Sequence, residues 1–140
     1  MDWTECIKKK IVKDITKDEN LISSLKETAK EKIESADSLD DKYHSTKITI
    51  YYEALRENLE ILAIKNNFKI YNHECYTPFL KEILNLNEEA ELFDELRKIR
   101  NGINYYGKKI TEEESQIIIE NIKKLMEKIK LWKHMYQILL

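Results

Sequence analysis

The chain is poor in the residues that punctuate a backbone: one proline and two glycines stand among its 140 residues. Sheet proteins need such residues at their tight turns. Their scarcity, beside a high content of Leu, Ile, Lys and Glu, predicts an all-α fold. Cysteine is scarce too. Cys6 and Cys75 are too few and too far apart in sequence for a disulfide framework or a CxxC metal site, so they read as reduced thiols of a cytoplasmic protein. No apolar run approaches the ~18 residues that span a bilayer, and Met1-Asp2-Trp3-Thr4 lacks the basic start and apolar middle of a signal peptide, so no membrane role is expected. An excess of one charge is also missing. Charged residues make up 36% of the chain, but 24 basic and 26 acidic residues nearly cancel, and any affinity for RNA must come from a local patch. The length gives one domain, 1–140, with enough chain to bury a core without staples.

What is present is helical periodicity. Trp3, Ile7, Ile11 and Ile15 recur every four residues and predict a short docking helix between Trp3 and Lys17. Leu21, Leu25, Ala29 and Ile33 define a long helix that starts at Asp18 as N-cap and ends in the polar cluster Ser35–Asp41. From Asp41 to Asn66, Ile48, Tyr51, Leu55, Leu59 and Leu62 form one stripe, widened by Ile50, Ala54, Ile61 and Ile64. So broad an apolar face suits a central helix covered on two sides, with Tyr52, Glu53, Arg56, Glu57 and Asn58 available to a neighbouring groove. The segment Asn66–Thr77 breaks the pattern; Phe68, Tyr71 and Tyr76 are expected to plug the bundle end and His73 to hydrogen-bond locally. Metal binding by His73 and Cys75 would need further ligands. His44, His134 and Cys6 have no characteristic spacing, so no metal or other cofactor is expected. Thr77 as N-cap and Pro78 as first helical residue predict a short third helix.

The next helix, from Glu88 to Tyr106, carries the densest polar chemistry in the chain. Leu92, Leu96, Ile99, Ile103 and Tyr106 step along its core face, while Arg97, Arg100, Asn101 and Asn104 form a second stripe on the edge. Gly107 is placed to end the helix as a left-handed cap, and Thr111 with Glu114 forms a capping box for the last helix. There Ile118, Ile122, Leu125, Ile129, Trp132 and Tyr136 repeat with heptad spacing. A guanidinium and two amides held on a helix edge would suit a phosphate. The competing reading of Arg100 is an ion pair with Glu53, Glu57 or Asp94, and that of Tyr105 and Tyr106 is packing at the bundle end.

The stretch RKIRNGINYYG, Arg97 to Gly107, resembles the signature of the HEPN family, in which an arginine, usually followed by asparagine, precedes a histidine by four to six residues. Arg100 and Asn101 match the start of that motif. Where the histidine would stand there is Tyr105, flanked by Asn104 and Tyr106, and no histidine lies between Arg100 and His134. The helix order and the segment KIYNHECYTPFL, Lys69 to Leu80, also resemble archaeal HEPN proteins. The resemblance implies an antiparallel bundle of four to five helices that forms a homodimer and cuts single-stranded RNA without a metal, by attack of the ribose 2'-hydroxyl. It implies Arg100, Asn101 and Tyr105 as the catalytic positions, and the polar stripe of Arg97, Arg100, Asn101 and Asn104 offers the groups to bind RNA or a nucleotide. A nucleotidyltransferase partner in a toxin-antitoxin or defence pair is the alternative it offers. Tyr105 is a poor proton acceptor, since a phenol of pKa ~10 is only about one part in a thousand ionised at pH 7. A degenerate or weak ribonuclease is therefore the expectation.

Overall fold

The architecture is organised around one helix with scarcely a free face. In the computed structural model, which describes residues 1–139 with side chains through residue 132, the helix α3 (His44–Lys65) has fourteen of its 22 residues buried. Ile48, Tyr51, Leu55, Leu59 and Leu62 all lie in the core, and Ala54, Ile61 and Ile64 widen the buried surface as their spacing predicts. Three further long helices surround it: α2 (Glu19–Ser38), α5 (Asn87–Tyr106) and α6 (Glu112–Leu139). Contacts fix the directions. Asp37 meets Tyr51 and Thr28 meets Glu57, so α2 and α3 run antiparallel. Asn104 meets Thr49 and Arg100 meets Glu53, so α5 is antiparallel to α3 as well. The fold is thus a mostly helical bundle.

Chemistry at the helix ends explains where these elements begin and stop. The Asp18 carboxylate accepts the Leu21 N–H at 3.0 Å and opens α2. Gly107, at φ +62°, closes α5 as the left-handed cap its position predicts. The Thr111 hydroxyl accepts the Glu114 N–H at 3.1 Å and itself donates to the Glu114 carboxylate at 3.1 Å, opening α6. On α6, Ile122, Leu125 and Ile129 are buried as the heptad spacing requires, and Tyr136 falls outside the described side chains, as does His134.

Four expectations need correction. The first helix, α1 (Trp3–Lys8), ends early; Lys10 turns the chain through φ +60°, and Val12–Asp14 becomes a strand, β1. It pairs antiparallel with β2 (Phe68–Ile70), Val12 opposite Ile70. The ribbon is too short to show an alternating pattern, which is why no strand was legible. This pairing brings distant segments together and joins Cys6 to Cys75 in a disulfide with the Cα atoms 6.2 Å apart, so these cysteines are not free thiols, and the premise for a cytoplasmic reading falls with them. Among the described residues no helix is long and apolar enough to cross a membrane.

The third correction concerns the entry to the short helical segment. The Asn72 side chain accepts the Glu74 N–H at 3.0 Å and opens a single 3-10 turn, His73–Cys75. The turn runs into α4 (Tyr76–Pro78) and a π-helical turn, Phe79–Ile83. Thr77 therefore caps nothing; its hydroxyl donates to Asp94 at 3.3 Å. Lastly, two tyrosines lie outside the core. Phe68 and Tyr76 pack inward, but Tyr71 is 60% exposed and Tyr106 is 83% exposed. The buried residues of α5 are Ala90, Phe93 and Leu96, with Leu92, Ile99 and Ile103 only partly covered.

Candidate functional site

Where α5 crosses α3, the 3-10 turn closes over the junction and leaves an open polar groove of about 380 Å³. Its walls come from Glu53 and Arg56 on α3, Arg100 and Tyr105 on α5, and His73 with Tyr71 and Tyr76 from the segment between them. A larger cavity of about 620 Å³ lies between α2, α3 and α6, but Ile33, Ile61, Leu62 and Ile129 line it and its polar groups are mostly lysines at the rim. The smaller groove is where guanidinium, carboxylate, imidazole and phenol converge.

Arg100 is held from three sides. Its guanidinium carbon lies 5.5 Å from the ring centroids of both Tyr52 and Tyr105, a cation-π arrangement on a side chain that is 15% exposed. Nη1 donates to the Tyr105 hydroxyl at 3.2 Å and to the Asn101 side-chain oxygen at 3.4 Å. Nη2 reaches Glu53 only at 3.6 Å, an ion pair without a hydrogen bond, and Nε is buried with no hydrogen-bond partner. Glu53 is shared, because Arg56 Nε donates to its other oxygen at 3.1 Å. Arg56 also donates to Glu60 at 3.3 Å, and Glu60 in turn takes Lys69. Of the three carboxylates suggested as partners of Arg100, Glu53 alone is close. Glu57 is taken by Thr28 and Lys32, and Asp94 by Arg97 at 2.9 Å and Lys98 at 3.0 Å. Burial raises the Asp94 pKa, but those two cations and their hydrogen bonds outweigh it and hold the carboxyl below its usual range.

The polar stripe on α5 is thus divided. Arg100 and Tyr105 line the groove, and Asn101 touches Arg100. Arg97 turns back to Asp94, and Asn104 accepts from Thr49 at 3.2 Å on the rim between α5 and α3. His73 is the residue that the sequence pattern missed. Far from bonding locally, its Nδ1 lies 2.7 Å from the hydroxyl of Tyr52, 21 positions earlier, with the rings edge to face at 5.9 Å. The only signal was the Asn72 cap, which fixes the turn but not what it faces. Burial, followed by the positive charges of Arg100 and Arg97, pushes the imidazole pKa down, so His73 is neutral at pH 7. Burial also raises the Tyr52 and Tyr76 hydroxyls, which stay protonated. The Tyr76 oxygen sits near Arg56 and Glu60 without a well-formed hydrogen bond.

No family model, curated protein or solved structure matches the chain. The groove gathers two guanidinium groups, a carboxylate, a phenol and an imidazole around a space open to solvent.

Proposed function

We propose that this groove is a phosphate-binding site for RNA or a nucleotide, in a HEPN-like protein that cleaves RNA slowly or not at all. The observation that carries the reading is the under-used guanidinium of Arg100, whose Nη2 makes no hydrogen bond and meets Glu53 only at 3.6 Å although the side chain is fixed by two aromatic rings. A preorganised cation with spare donors is the cheapest way to bind a phosphate, because little side-chain entropy is lost on binding. Tyr105 supports the low-activity half, since its hydroxyl is occupied by Arg100 and a phenol is a weak base.

The same reading makes the protein a symmetric homodimer with Arg100 near the interface. Tyr105, 67% exposed at the groove, and Tyr106, 83% exposed at the end of α5, supply the kind of aromatic surface that such contacts cover. Light scattering at tens of micromolar should give a dimer mass; a monomer sinks this part.

Titration with single-stranded RNA, double-stranded RNA and ATP at two salt concentrations tests the site. Binding should weaken with salt, and Arg100→Ala should cost about 1.5–3 kcal/mol of affinity, the range for a charge-assisted hydrogen bond. If Arg100→Ala lowers the melting temperature but leaves binding unchanged, the arginine is a structural partner of Glu53. If none of the three ligands binds, the groove reading fails and a role beside a nucleotidyltransferase takes its place. Tyr105→His should raise cleavage if the rest of the site is intact, whereas robust metal-free cleavage by the unaltered protein would overturn the low-activity half.

A further inference from the structure

Binding and proton uptake meet in this groove at one residue. We propose that His73 is a ligand-binding group which takes up a proton as phosphate enters, so that the groove selects a dianionic phosphate monoester, such as a nucleotide's terminal phosphate, over an internal diester. The proposal rests on the reading of the groove as a phosphate site.

The geometry comes first. The Asn72 cap and the 3-10 turn present His73 to the groove, and the Tyr52 hydroxyl holds Nδ1 at 2.7 Å. Nε2 has no hydrogen-bond partner among the described residues and is the nitrogen left for a ligand. The Tyr52 hydroxyl can act in either direction. It donates to Nδ1 while the ring is neutral, which leaves the ring's own hydrogen on Nε2. When the ring is charged, Nδ1–H donates to the phenol oxygen instead, and Nε2–H is the donor left over on a residue that lines the groove. The Tyr52–His73 hydrogen bond can therefore be kept in both protonation states without any movement of the ring.

Charge supplies the second half. Arg100 and Arg97 on α5, and Arg56 on α3, oppose a proton on His73, whereas Glu53 favours one; Tyr52 and Tyr76 remain neutral, and Tyr105 is bonded to Arg100. Without a ligand, burial first and then the arginines keep the imidazole uncharged. An entering phosphate reverses the local field, because its oxygens offset the guanidinium charges and offer an acceptor to Nε2–H. With His73 charged, the groove lining carries three positive charges, Arg56, Arg100 and His73, against the one carboxylate of Glu53. The surplus of two matches a monoester dianion and exceeds what a singly charged diester can neutralise.

Calorimetry of the full chain with AMP, adenosine and a 3',5'-linked dinucleotide without terminal phosphates separates the outcomes. At pH 7.5 AMP is mostly dianionic, since the second phosphate pKa is about 6, so proton exchange by the ligand itself is small. Titrations in two buffers of different ionisation enthalpy should show net proton uptake with AMP. Affinity should fall by up to about tenfold per pH unit as pH rises between the free and bound histidine pKa values. His73→Gln, which keeps a donor of similar size, should abolish the uptake and flatten the pH profile while Arg100-dependent binding persists. The His73 ring signals in NMR should move to the imidazolium position on addition of AMP. Three results overturn the inference: uptake that survives in His73→Gln, His73 signals that AMP leaves unmoved, or equal affinity for AMP and the dinucleotide. If AMP and RNA both fail to bind the unaltered protein, the groove reading itself fails and this inference with it.

Discussion

At the scale of single residues, the groove is assembled from side chains whose visibility in the sequence differs for a physical reason. Arg100 and Glu53 sit on long helices, so periodicity put Arg100 on a polar edge and left Glu53 as one of three candidate partners, the choice among them depending on a helix register that a single sequence does not show. His73 lies in a segment with no period, and its partner Tyr52 is chosen by the tertiary fold, so nothing in the local pattern pointed to it. The histidine also carries a pH signature. Its pKa is held down in the folded protein, so the unfolded chain binds the proton more readily. Its contribution to stability is complete above the ordinary histidine pKa of about 6.5 and is lost as pH falls toward the depressed value. The melting temperature should therefore drop between pH 7 and pH 5, and part of that drop should be missing in His73→Gln. Equal slopes for the two proteins would show that the imidazole is as easily protonated in the fold as outside it.

At the scale of elements, helices were legible wherever amphipathic spacing and an end signal agreed. α2, α3, α5 and α6 all lie close to where Asp18, the broad stripe, Gly107 and Thr111 placed them. The β-ribbon and the π-helical turn were not legible, because each is shorter than the window over which a period can be read. The two glycines of α5 make opposite predictions. Gly107 stands at φ +62° with nothing within 4 Å of a Cβ, so Gly107→Ala costs only backbone strain, about 1 kcal/mol. Gly102 is inside the helix, and a Cβ there would meet Lys108 Cδ at an ordinary 3.5 Å. Gly102→Ala should stabilise by about 0.5–1 kcal/mol through helix propensity. Urea denaturation of the two variants should shift the midpoint in opposite directions. A loss of stability in Gly102→Ala would mean that the helix cannot accommodate the methyl group next to Asn101.

At the scale of the molecule, the disulfide was beyond the reach of the sequence, since a separation of 69 residues gives no hint of proximity. By loop-closure entropy, a cross-link over a loop of that length stabilises the fold by about 4 kcal/mol. Reduction, or Cys6→Ser, should lower the melting temperature correspondingly, and an unchanged transition would show that the bond adds nothing. In covalent terms the protein is a lariat. Residues 6 to 75 form a closed ring containing β1, α2, α3 and β2, and the chain beyond Cys75, with α5 and α6, is its tail. The groove lies at the seam, with Glu53, Arg56 and His73 on the ring and Arg100 and Tyr105 on the tail. A protease cut between α2 and α3 would open the ring but release no fragment until the disulfide is reduced. A cut between α5 and α6 would free a piece on denaturing gels with or without reductant.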